Sequence, residues 1–134
     1  TIRRDPVSLG ATPEQVGIGK GRRMDDGYYK AEPLARFSEI AEGNDELARK
    51  FFDYYGSVFA DGELTVREKA LIALAVAHAV QCPYCIDAYS SECLKQGADL
   101  EQMTEAIHVA TAIRGGASLV HGLQMLEHVT KSSM

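Results

Sequence analysis

From Pro33 onward the apolar positions recur every three to four residues, and no stretch alternates with a period of two long enough to make a strand. Residues 34–41 predict a short helix broken around Gly43. Asn44 is a candidate N-cap for the next helix, in which Leu47, Phe51, Phe52, Tyr55 and Val58 fall at helical spacing. Gly62 marks a loop. Thr65-Val66-Arg67-Glu68 is a capping box, a threonine followed three residues later by a glutamate. The helix it opens is apolar nearly all round over residues 70–80, the pattern of a buried helix. Cys82 and Pro83 interrupt it and start another, because proline suits the first helical position, where its missing N–H costs nothing.

That next helix is expected to end at Gln96-Gly97, with glycine just past the last turn. Asp99-Leu100-Glu101-Gln102 predicts a further cap, opening a helix with Met103, Ile107, Ala110 and Ile113 on one face. Gly115-Gly116 is expected to break it, and a last helix carries Leu119, Leu123, Leu126 and Val129 inward before a polar tail. The prediction is an all-α domain over residues 33–134, of six helices give or take one. Thr1 to Arg23 is rich in Gly, Pro and Arg without a sustained period, and residues 1–32 are expected to form an extended arm, held by a contact such as a neighbouring subunit.

Composition narrows the class. A chain of 134 residues suffices for one domain with its own core. Hydrophobic content of 46% with 25% charged residues is ordinary for a globular protein. A net charge of -5 without a basic stripe argues against nucleic acid. The longest apolar run, residues 70–80, is too short to cross a bilayer and contains His78. The N-terminal stretch has no apolar segment of the signal-peptide kind. Three cysteines, an odd number, predict a reducing cytoplasm and working rather than structural thiols.

The chemistry gathers at Cys82-Pro83-Tyr84-Cys85. Two cysteines at this spacing can close a disulfide, bind a soft metal or attack an electrophile. With Pro83 at the first helical position, Cys82 lies at the N-cap and Cys85 in the first turn, where free N–H groups and the helix dipole stabilise a thiolate. A structural zinc site would want a second Cys-x-x-Cys to complete four ligands, and the chain has none. Two merely packed cysteines are the plainer alternative to a reactive dithiol. Cys-Pro-Tyr-Cys also occurs in glutaredoxins, but there it follows a β-strand near the start of a βαβ unit, and here it follows an alanine-rich helix.

The blocks REKALIALAVAHA (67–79), CPYC (82–85), Gly97-Ala98 and AIRGG (112–116) follow one another in this order. With them the chain resembles the alkylhydroperoxidase D-like, or carboxymuconolactone decarboxylase, family over roughly residues 45 to 130. Residues 77–89 (AHAVQCPYCIDAY) and 113–122 (IRGGASLVHG) are more narrowly similar to a peroxidase-like subgroup associated with arsenosugar biosynthesis. The resemblance implies an all-helical homotrimer or homohexamer. It implies reduction of a small-molecule hydroperoxide by the Cys82–Cys85 pair, through a sulfenic acid and an intramolecular disulfide that an external dithiol reductant resets. It makes Cys85 the attacking thiol, whereas proximity to the helix end favours Cys82.

The sequence departs from the family at two places. A glutamate is usual twelve positions before the first cysteine, where this chain has Ala70. A histidine is usual four positions after the second, where it has Tyr89, a hydrogen-bond donor but a poor base at neutral pH. His78, four residues before Cys82, is the candidate replacement base if the helix persists that far, with a histidine satisfied by a backbone carbonyl as the alternative. Glu68 is its candidate carboxylate partner or simply a cap.

His108 and His121 are candidates to line the site, His128 is expected at the surface, and Cys93 is expected to pack as a small hydrophobe. Tyr54 and Tyr55 are expected in the core or a subunit interface. Tyr28 and Tyr29 suggest no cofactor, and Gly17, Gly19 and Gly21 lack the spacing of a phosphate loop. No cofactor and no metal are expected. A thiol peroxidase or disulfide oxidoreductase leads. A dithiol protein binding soft electrophiles such as trivalent arsenic, and a decarboxylase-like enzyme working through histidines alone, stand beside it.

Overall fold

The computed structural model describes residues 36–134; the expected arm over 1–32, with Tyr28, Tyr29 and the three glycines, lies outside the described residues. A 3-10 helix, Phe37–Gly43, is followed by α1 (Asp45–Phe59), α2 (Val66–Ala79), α3 (Pro83–Lys95), α4 (Leu100–Val120) and α5 (Gly122–Ser132). Among the described residues there is no strand. None of the described helices is long and apolar enough to cross a membrane.

Local chemistry explains most of these boundaries. Asn44 Oδ1 accepts the Leu47 N–H at 3.1 Å. Thr65 Oγ1 accepts the Glu68 N–H at 3.1 Å, while the Glu68 carboxylate accepts the Thr65 N–H at 2.7 Å. Asp99 and Gln102 repeat the same reciprocal cap on α4, at 2.8 and 3.1 Å. The ends of α2 and α3 share one device. The N–H of Cys82 returns to the Ala77 carbonyl at 3.0 Å and that of Ala98 to Cys93 at 2.9 Å, a Schellman closure each time. Such a closure needs a left-handed residue. Gly97 supplies it at φ 76° after α3, and Gln81, at φ 57°, supplies it after α2.

α2 is the central helix, packed against both α3 and α4, while α5 leans on α4 and α1 on the 3-10 helix and α2. The core is small: Ala70 and Leu74 of α2 meet Cys93 of α3 and Ala98, with Leu71, Tyr89 and Met103 packed around them. Full burial of Leu74 stabilises by about 2 kcal/mol.

Three expectations are corrected. α4 runs straight through Gly115-Gly116 to Val120. Glycine costs a helix interior only about 1 kcal/mol, and neither glycine adopts the positive φ that would close the helix. The apolar run 70–80 is not buried all round: Ile72, Val76 and Val80 are at least half exposed. Leu119, Leu123, Leu126 and Val129 likewise face outward, as does Ile113. Helical periodicity shows which residues share a stripe; it does not say whether the same chain covers that stripe.

Candidate active site

The Cys82–Cys85 pair sits where α2 ends and α3 begins. Gln81 turns the chain by its left-handed φ, Cys82 adopts an extended conformation as the N-cap of α3, and Pro83 occupies the first turn. The cysteines are joined as a disulfide with Cα atoms 5.3 Å apart. The N–H of Cys85 donates to Cys82 Sγ at 3.2 Å. In the reduced protein the same N–H and the positive end of α3 stabilise a thiolate on Cys82.

Cys85 is half-buried in this turn. It lines an apolar groove of about 380 Å³ whose walls are Tyr55, Val58 and Phe59 of α1, and Ile72, Val76 and Val80 of α2. Tyr89, one turn beyond Cys85, shares the same groove. Lys69 reaches its far margin, where its ammonium donates to the Ala60 carbonyl at 2.5 Å.

Tyr89 is held on two sides. Its ring stacks on Phe59 with centroids 5.1 Å apart, and its phenol oxygen shares a hydrogen bond with that of Tyr55. Tyr55 in turn packs on Phe59 at 4.9 Å. Burial pushes the Tyr89 phenol well above the ordinary tyrosine range. At physiological pH it is a proton donor and not a base. Behind Tyr89 lies a second recess of about 310 Å³, bordered by Ala70, Val66, Ala88 and Glu92. Ala70, where the resembling family has a glutamate, is fully buried and leaves this space open.

The other predicted site residues go elsewhere. α2 stops at Ala79, so the helical relation between His78 and Cys82 is broken by Gln81. His78 Nδ1 instead pairs with the Leu74 carbonyl at 2.8 Å. Glu68 caps the opposite end of α2, about 16 Å of helix from Ala79 at 1.5 Å per residue. The backbone N–H of Thr65, then its hydroxyl, hold that carboxyl below its usual range. His108 and His128 are exposed, and His121 closes the end of α4 with Nδ1 on the Ala117 carbonyl at 2.6 Å; none of them lines the groove. Cys93 is fully buried, and burial followed by the Glu92 charge pushes its thiol up. Among the described residues no three His, Cys, Asp or Glu side chains gather as a metal site.

Two residues at the site escape sequence reasoning. Tyr55, expected in the core or an interface, borders the groove and binds Tyr89, 34 positions away. Arg114 of α4 donates from its guanidinium to the Ala79 carbonyl, closing the C-terminal end of α2 just before the cysteine turn. Its only sequence signal was its place in the AIRGG block.

Comparison with known proteins identifies the family and the fold. Residues 45–128 match the model of the carboxymuconolactone decarboxylase family. A Paracoccus denitrificans protein described as uncharacterized protein 4 in the cox locus is 49% identical over 92 residues, spanning 69% of this chain and 83% of the relative. A crystal structure from Methanobacterium thermoautotrophicum superposes with a TM-score of 0.62 at 32% identity, covering 64% of this chain and 97% of that one. A carboxymuconolactone decarboxylase family protein from Legionella pneumophila, in its apo form, gives a TM-score of 0.57 at 30% identity over 77% of this chain and 92% of its own.

Proposed function

The chain belongs to the carboxymuconolactone decarboxylase family, and on that footing we propose that it is a thiol-dependent hydroperoxidase, or disulfide oxidoreductase, of the alkylhydroperoxidase D type. Cys82 and Cys85 carry the reaction. The observation behind this reading is the joined cysteine pair at the N-terminus of α3, with Cys85 open to an apolar groove.

In the reduced enzyme the thiolate of Cys85 attacks the terminal peroxide oxygen. An S–O bond forms, the O–O bond breaks, and its electron pair leaves with the alkoxide, which takes up a proton. The Cys82 thiolate, stabilised by the Cys85 N–H, then attacks the sulfenic sulfur: the S–S bond forms, the S–O bond breaks, and hydroxide leaves and takes a proton from solvent to become water, giving the Cys82–Cys85 disulfide. An external dithiol returns the pair to thiols, which suits a reducing compartment such as the cytoplasm. Within the family, the similarity of blocks 77–89 and 113–122 to the arsenosugar-associated peroxidase-like subgroup supports the peroxidase reading. The outward apolar stripes on α4 and α5 fit a homotrimer or homohexamer.

A cysteine-to-serine series tests the function. Peroxide consumption driven by dithiothreitol should vanish in both Cys82→Ser and Cys85→Ser. Tight arsenite binding that needs both thiols, without peroxide turnover, would move the assignment to a dithiol binding protein. Lactone decarboxylation that survives both substitutions would move it to the non-redox enzymes.

A further inference from the structure

We propose that Tyr55 and Tyr89 form a proton-donating pair in which Tyr89 protonates the departing oxygen and Tyr55 positions and reloads it. The proposal rests on the peroxidase reading above, and it supplies the proton that the reading requires.

The groove leaves few other donors. Its walls are almost wholly apolar, and besides Cys85 its hydrogen-bonding side chains are Tyr55, Tyr89 and Lys69. Lys69 is bound to the Ala60 carbonyl near the start of α2, about 16 Å of helix away from the Val80 end of the groove. Tyr89 follows Cys85 by four residues in one helix, so both side chains rise on the same face. Its ring is clamped against Phe59, and its hydroxyl is aimed by Tyr55.

The proton balance follows. As Cys85 sulfur bonds to the terminal oxygen, the O–O electron pair moves to the alkoxide, and the Tyr89 O–H transfers its proton there. Any phenol, even one whose titration burial has raised, is a stronger acid than an alkyl alcohol, so the transfer runs downhill. A phenolate is left in an apolar, half-buried place. Tyr55 offsets that cost by donating to it, then passes on a proton, and being 37% exposed it can be recharged by water. Tyr89 is thus a catalytic residue, and Tyr55 a positioning one.

The test compares leaving groups. Reduced wild-type, Tyr55→Phe and Tyr89→Phe chains are mixed with excess tert-butyl hydroperoxide or peracetic acid, and loss of free thiol is followed by quenched alkylation and mass spectrometry. An alkoxide leaves badly without a proton, whereas acetate needs none. Tyr89→Phe should slow the alkyl hydroperoxide reaction by about a hundredfold, and Tyr55→Phe by a smaller factor, while peracetic acid slows by less than about twofold in both. Equal slowing with both oxidants would mean a merely structural role, and no slowing with either would mean no role; each overturns the pair. Should Tyr89→Phe fail to fold by its circular dichroism melt, the Tyr55→Phe contrast between the two oxidants decides alone. If the wild type loses thiol to neither oxidant, the peroxidase reading itself has failed, a result distinct from the others.

Discussion

Replacing Gln81 by glycine should stabilise this protein. Gln81 sits at φ 57°, where a side chain's Cβ crowds the following carbonyl at a cost of about 1–2 kcal/mol. Glycine removes that cost but frees the unfolded chain, which takes back about 0.4–1 kcal/mol. The net gain is about 0.5–1 kcal/mol. For a chain of this size that raises Tm by about 2–4 °C. The structure contains its own control, because Gly97 plays the same part after α3 at φ 76°. A Cβ added at Gly97 meets nothing within 4 Å, so Gly97→Ala should lose stability, by about 1 kcal/mol, through backbone conformation alone. Thermal unfolding by circular dichroism, at one protein concentration and with the Cys82–Cys85 pair held oxidised, measures both. A fall in Tm for Gln81→Gly, or a shift of both variants in the same direction, would refute the reasoning. It would mean that the Gln81 side chain, not the turn, holds the approach to Cys82.

In the reduced protein, pH-dependent alkylation should find Cys82 titrating below the free-thiol value of about 8.5 and Cys93 above it, and His78→Ala should leave the Cys82 profile unmoved; alkylation of Cys93 ahead of Cys82 would contradict the geometry. Because the folded Glu68 carboxyl is held below its unfolded value, its contribution is present above the ordinary carboxylate range and lost as pH falls through it. Glu68→Gln should therefore flatten that part of the acid limb of a stability-versus-pH curve from urea melts, and an unchanged limb would show that the cap carries no linkage. Light scattering should report a mass several times 14.6 kDa, and Leu123→Glu or Leu126→Glu, on the outward stripe of α5, should lower it; a wild-type monomer would overturn the assembly.

The helix starts were legible because a cap is written within four residues. Asn44 with Leu47, Thr65 with Glu68, and Asp99 with Gln102 each satisfy backbone groups three positions away. Pro83 announced the start of α3 in the same way, and Gly97 its end. Gly115-Gly116 misled because glycine permits a helix end without compelling one, and the stop came instead at His121. The end of α2 was harder to read, since Gln81 does there what glycine usually does.

By itself, then, the sequence determined the all-helical architecture, the caps, and a dithiol at the head of a helix, since each depends on side chains and backbone groups within a turn or two. Only the tertiary structure decided what surrounds that dithiol. It turned His78 back onto the Leu74 carbonyl, left Glu68 at the far end of α2, joined Tyr55 to Tyr89 across 34 residues, and exposed the Ile72, Val76 and Val80 face as a groove wall. Those outcomes hang on which helix packs against which, and no local spacing encodes that.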